Sequence, residues 1–139
     1  MDANPKNPPY IEVPHTADIA LDVYGNSLQE LFKHAAQGMY SLLEISSSGE
    51  WIENRNISFQ EEDPESLLIT FLSELLFYAE ADGLWASEIH IVVAKTKLRG
   101  NLEMKGIRQY FQPIKAVTYH DLRISRNGSG LKTRIVFDI

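Results

Sequence analysis

The residues in this sequence whose types suit chemistry are carboxylates and histidines gathered towards its two ends. His15-Thr16-Ala17-Asp18 lies between two short runs of strand character, and Asp138 precedes Ile139, whose α-carboxylate adds a further pair of negative oxygens. An aspartate at a bend accepts hydrogen bonds from nearby backbone amides. Carboxylates that converge instead make an oxygen-rich site for a hard divalent ion such as Ca²⁺, Mg²⁺ or Mn²⁺. Both readings of Asp18 stay open, because the second requires Asp18 to approach Asp138 and the chain terminus in space. His15 would ligate, donate to Asp18 or cap the turn. Lys115 is either a solvated lysine or a cation that meets a partner or neutralises the carboxylates.

The element that must position most of these groups is the stretch from Lys115 to Ile139. Alternating runs flank Asn127-Gly128-Ser129-Gly130, residues that tolerate positive φ, and the pattern predicts a β-hairpin. Closing it between Arg126 and Leu131 sets Leu122 opposite Ile135, Asp121 opposite Val136 and Tyr119 opposite Asp138. Thr118, His120, Leu122 and Ile124 then share the apolar face with Ile135, Phe137 and Ile139, so His120 reads as a hydrogen-bonded core histidine. Lys115, Val117, Tyr119, Asp121 and Arg123 share the other face with Arg134, Val136 and Asp138. Asp121 and Asp138 become diagonal neighbours there. This carboxylate cluster holds only for an even loop, because a bulge would change the division of faces.

Upstream, Tyr10 to Val13 reads as a short strand stopped at Pro14, and Ile19 to Tyr24 as an alternating one. Ser27 and Glu30 have the spacing of a capping box, followed by a helix to about Leu43 whose apolar residues recur every three or four positions. Trp51 to Phe59 supplies another strand. Asp63-Pro64 opens a second helix that runs to about Asp82, ended by Gly83. Its leucine-rich face makes it the central buried helix. Glu88 to Ala94 and Lys97 to Met104 are strands, with a loop from Gly106 to Pro113. Helices mixed with mostly antiparallel strands define an α+β class, in one compact domain over 10–139 behind an extended, proline-rich lead-in at 1–9.

With 139 residues, 44% of them hydrophobic and 23% charged, the chain has the balance of an ordinary globular protein with a single core. It has no cysteine, which excludes disulfides, thiolate metal sites and cysteine nucleophiles and fits a cytoplasmic setting. No run is long and apolar enough to cross a bilayer, and no signal peptide is legible. A formal charge of −6 opposes adhesion to phosphate backbones, so stable direct nucleic-acid binding is not expected. There is no phosphate-binding glycine loop, no helical histidine pair and no serine elbow. A metal-dependent hydrolase would need a water-activating base and a substrate pocket, and neither is visible.

Two motifs reach further: His15-Thr16-Ala17-Asp18-Ile19-Ala20, trailed by Tyr24-Gly25-Asn26-Ser27-Leu28-Gln29-Glu30-Leu31, and Lys115-Ala116-Val117-Thr118-Tyr119-His120, closing with Ile135-Val136-Phe137-Asp138-Ile139. Together with Glu65-Ser66-Leu67-Leu68 and Ser73-Glu74-Leu75-Leu76, they make the chain resemble the archease family over residues 10 to 139. The resemblance implies a protein cofactor and not a free-standing enzyme. Its implied partner is the tRNA-splicing RNA ligase, which uses GTP and a divalent metal to join a 2′,3′-cyclic or 3′-phosphate end to a 5′-hydroxyl. Archeases promote that enzyme's guanylylation and multiple turnover. A chaperone-like role towards a tRNA methyltransferase is the second association the family implies. The implied fold is one strand-helix-strand-strand module inserted in another. The implied metal ligands are Asp18, Asp138 and the terminal carboxylate of Ile139, with Ca²⁺ favoured and Lys115 as the accompanying functional cation. His15 and Asp121 are additional candidates. The chain departs from the family pattern at Pro113, where Glu often precedes the lysine motif.

Overall fold

A computed structural model describes residues 7–14, 18–110 and 113–139. In chain order the elements are β1 (Tyr10–Pro14), β2 (Asp18–Gly25), α1 (Leu28–Leu43), β3 (Ile45–Gln60), α2 (Pro64–Phe77), a π turn (Tyr78–Asp82), β4 (Leu84–Ala94), β5 (Lys97–Tyr110), β6 (Ala116–Thr118), β7 (Ser125–Asn127) and β8 (Gly130–Asp138). All strand pairings are antiparallel. One sheet has the order β1-β2-β8-β6, with β7 also on β8, and the other has the order β3-β5-β4. The strand-helix-strand-strand unit β3-α2-β4-β5 is thus inserted between α1 and β6 of an outer unit whose strands form the first sheet. The α+β architecture of nested modules expected from the sequence is the one observed.

Local chemistry explains the helix limits. The Ser27 hydroxyl accepts from the Glu30 amide at 3.1 Å, and the Glu30 carboxylate accepts from the Asn26 amide at 2.7 Å, so the capping box reaches one residue further back than its usual form. Glu44, in the left-handed region at φ 53°, closes α1. The Asp63 side chain accepts from Ser66 and Pro64 occupies the first turn of α2. Beyond Phe77 the winding loosens into the π turn, and Gly83 at φ 65° stops it.

The core lies where α1 and α2 meet both sheets. Leu31, Phe32, Ala35, Ala36 and Met39 of α1 are wholly buried, and α2 buries residues around most of its circumference. In β4, Ile89, Ile91 and Val93 point inward while His90, Val92 and Ala94 point outward. Three strands extend several residues beyond their predicted limits: β3 begins at Ile45, β4 begins at Leu84, and β5 continues to Tyr110 through part of the segment read as a loop. The serines and glycines there escape period-two pattern reading because the pairing of β3 with β5 carries register shifts between Ser46 and Glu53. Among the described residues no helix is long and apolar enough to cross a membrane.

Candidate functional site

The first sheet brings the two ends of the sequence motifs together. β2 and β8 pair so that Asp18 stands directly opposite Asp138, Ala20 opposite Val136 and Asp22 opposite Arg134. Opposite residues of an antiparallel pair share a face, with Cβ atoms about 4.5–5.5 Å apart. Leu21, Val23, Ile135 and Phe137 fill the inner face, so alternation turns Asp18 and Asp138 outward. Ile139 packs against the core and pins the end of β8. One oxygen of Asp18 is shut off from solvent, whereas Asp138 is exposed.

On the other side of β8, Ala116 stands opposite Asp138, and the Lys115 amide donates to the Asp138 carbonyl at 2.7 Å. The Lys115 residue is exposed. Three of the sequence-predicted residues therefore meet at one tip of the sheet: Asp18 and Asp138 face to face, with Lys115 hydrogen-bonded to the backbone of Asp138.

Asp121 does not join them. The predicted register holds beside the turn, where Arg126 pairs with Leu131, but Thr118 and not Asp121 stands opposite Val136. Likewise Ala116, and not Tyr119, faces Asp138. An irregular passage between β6 and β7 causes the odd shift and reverses the faces upstream of it. Val117 is consequently buried opposite Phe137, and His120 is exposed instead of sitting in the core. His120 Nε2 lies 3.2 Å from the Asp121 carboxylate, and Asp121 adopts φ 54°. His15 lies outside the described residues.

Sequence reading missed two polar contacts around this face. Arg134 grips Asp22 through two hydrogen bonds, Nε to Oδ1 at 2.7 Å and an Nη to Oδ2 at 3.0 Å, and the pairing holds the guanidinium pKa above its ordinary value. The outward parity of Asp22 was visible, but the hairpin rule is silent about which strand flanks β8. Glu65, in the first turn of α2, accepts from the Ile124 amide at 2.9 Å and ties the irregular passage to α2. Asp22, Asp121, Arg123 and Arg134 line a groove of about 300 Å³ on the outer side of the sheet.

Two aspartates on one face of adjacent strands are oxygen donors of the kind a hard divalent ion takes. Among the described residues there is no group of three or more His, Cys, Asp or Glu side chains able to hold a metal. The side-chain set alone is smaller than the 6–8 oxygens, roughly, that Ca²⁺ takes, so solvent or partner oxygens would complete it.

Comparison with known proteins identifies the fold and the family. A family model described as "Archease protein family (MTH1598/TM1083)" matches residues 10–139. The protein archease of Thermococcus kodakarensis is 33% identical over 124 residues, 84% of this chain and 87% of that one. That of Methanosarcina acetivorans is 32% identical over 149 aligned positions and covers 100% of both chains. The crystal structure of an archease from Thermotoga maritima, described as a possible chaperone, superposes with TM-score 0.70 at 28% identity, covering 91% of this chain and 94% of that chain. The solution structure of Methanobacterium thermoautotrophicum protein 1598 gives TM-score 0.74 at 27% identity, covering 94% and 99%. The chain belongs to the archease family.

Proposed function

We propose that this chain is a cytoplasmic protein cofactor, without catalysis of its own, that activates the GTP-dependent tRNA-splicing RNA ligase by promoting its guanylylation and multiple turnover. The observation that supports this reading is the direct opposition of half-buried Asp18 and exposed Asp138 at the end of the β2–β8 pair. Two carboxylates opposite each other on one face of a sheet present oxygens that a divalent ion can take together. Asp18, Asp138 and the terminal carboxylate of Ile139 would hold a divalent ion, Ca²⁺ before Mg²⁺ or Mn²⁺. Bound there, it would supply positive charge for phosphate oxygens.

The chain's own residues prepare the encounter. The Ile139 side chain, packed on the core, fixes where the terminal carboxylate stands. The short Ala116 side chain leaves Asp138 uncrowded on its second flank, and exposed Lys115 offers a cation to a nucleotide or to the ligase surface. The tip would enter the ligase near its nucleotide and stabilise the arrangement from which guanylylation proceeds.

The deciding experiment is a guanylylation assay of the ligase with wild type, Asp18→Ala, Asp138→Ala and a chain lacking Ile139. Each variant is expected to lose most of the stimulation, and chelation of divalent ions to abolish it in wild type. Full stimulation by all three variants would remove the tip from the mechanism. A second reading, favoured by the "possible chaperone" description of the Thermotoga maritima relative, makes the chain a modulator of an RNA methyltransferase. It predicts that partner solubility survives loss of Asp18 and Asp138.

A further inference from the structure

The register of β6 and β7 against β8 reveals a surplus. Thr118 is opposite Val136 and Ser125 is opposite Lys132, so a continuous strand would place three residues between them, opposite Thr133, Arg134 and Ile135. The chain places six there, 119–124. Leu122 and Ile124 pack against the core, and the carbonyl of Arg123 accepts from the Thr133 hydroxyl at 3.0 Å, so 122–124 fill the places a continuous strand would occupy. The surplus is Tyr119, His120 and Asp121.

These three residues serve no visible need of the fold. Tyr119 is 57% exposed, and the His120 and Asp121 side chains are 64% and 78% exposed. Asp121 stands in the left-handed region, which aspartate tolerates better than most residues with a Cβ. The loop is nevertheless held in one shape. The Thr118 hydroxyl donates to the Val136 carbonyl at 3.0 Å, the His120 amide donates to Thr118 Oγ1 at 3.3 Å, and the Leu122 amide donates to the Tyr119 carbonyl at 3.0 Å. An interruption that sits beside a candidate site, re-aims side chains and lies on a tied-down frame is characteristic of a functional bulge.

We infer that Tyr119, His120 and Asp121 form a preorganised contact for the same protein partner that the acidic tip addresses, an inference that rests on the ligase reading above. β6 is three residues long and runs from Ala116, opposite Asp138, to Thr118, so the loop is part of the same edge. A partner engaging the tip meets the loop next. An exposed tyrosine two residues before an exposed carboxylate fits a basic side chain, an arginine above all, which stacks on the ring and takes the carboxylate in competition with His120 Nε2, 3.2 Å from it. Behind the loop, Arg134 is already occupied by Asp22. The chain's charge of −6 favours a basic protein surface over a nucleic-acid backbone as the occupant.

The test is excision of Tyr119, His120 and Asp121, which joins Thr118 to Leu122 without altering the register at either end. Tyr119→Ala and Asp121→Gly accompany it, the glycine removing the carboxylate while accepting the backbone. The excised chain is expected to melt at or above the wild-type temperature and to keep its divalent-ion affinity. Its affinity for the ligase should fall by about tenfold or more, and Tyr119→Ala should account for most of that loss. A melting temperature well below wild type would mean that the three residues are structural. Unchanged ligase affinity would remove the contact, and weakened binding of a labelled single-stranded RNA with ligase affinity intact would replace it with a nucleic-acid surface. Failure of wild type itself to bind the ligase would remove the ligase reading and this contact together. That result differs from wild-type binding that excision leaves intact, which removes the contact alone.

Discussion

The two nested modules each lay one face of a sheet on the shared core and finish the other face in different ways. On the outer face of the inserted sheet, polar groups satisfy one another: Asn101 donates to Asn56 at 3.1 Å, and His90 lies 2.9 Å from Glu103. Its strands are long, at 16, 11 and 14 residues, and β4 and β5 join directly through a two-residue turn, Lys95-Thr96. The outer module has shorter strands, an edge broken into β6 and β7, and two aspartates set against each other. Both sheets set two carboxylates opposite each other, Glu88 against Glu103 in the inserted one and Asp18 against Asp138 in the outer one. The difference lies in the setting: Glu103 also lies 2.9 Å from His90 within a long regular ladder, whereas the aspartates stand beside the broken edge.

That contrast requires the modules to be mechanically one, since the stable half can support the strained half only through a shared core. Phe32 of α1 and Phe71 of α2 provide the joint, stacked with ring centroids 5.9 Å apart and both wholly buried. Phe71→Ala should cost about 3–5 kcal/mol, the usual range for emptying such a site. Calorimetry should still show one transition, shifted to lower temperature. Two separate transitions, in wild type or variant, would mean that the modules are independent and that the inserted sheet does not support the tip.

Much of this arrangement is legible in the sequence, and the boundary of legibility is physical. Both helices announce themselves through local chemistry: Ser27 with Glu30, Asp63 with Pro64, and apolar residues at helical spacing. The turn at Gly128-Ser129 fixes the register of β7 and β8 because hairpin pairing is local. What fails is memory of register across an interruption. Tyr119-His120-Asp121 carries no glycine or proline, so alternation passes through it unbroken on paper while the strand slips by an odd number of residues. The error assigned Val117 to the wrong face, buried His120 and placed Asp121 beside Asp138. The meeting of Asp18 with Asp138 depends on β2 choosing β8, a contact between distant parts of the chain that no local pattern encodes.

A smaller effect sharpens the same comparison at a second joint. The Tyr40 hydroxyl of α1 accepts from the Ala86 amide of β4 at 2.9 Å, in a region where both residues are buried. Burial pushes the Tyr40 phenol well above its ordinary pKa, so it stays neutral throughout the range in which the fold is studied. Tyr40→Phe preserves the edge-on contact with Trp85 but leaves the Ala86 amide buried without its acceptor. The expected loss is about 1–3 kcal/mol. Amide exchange at Ala86 should accelerate with it. Exchange at β2 and β8 should change only as much as global stability does, because neither strand contacts that hydrogen bond.

The smallest effect carries the opposite sign. If Asp138 is held against Asp18 for function and not for stability, Asp138→Asn should leave the protein as stable as wild type or raise its stability, by up to about 1 kcal/mol for relief of a like-charge cross-strand pair. Stimulation of the ligase should fall in the same variant. Raising the salt concentration should narrow the stability gap, since added ions screen the repulsion that only wild type carries. Asp138 is exposed but one Asp18 oxygen is shut off from solvent, so the screening should stay partial even when the Debye length falls to roughly 3 Å at 1 M. A destabilising Asp138→Asn substitution would make the aspartate pair a structural contact like those of the inserted sheet, and the difference between the two modules would vanish at the place where it matters most.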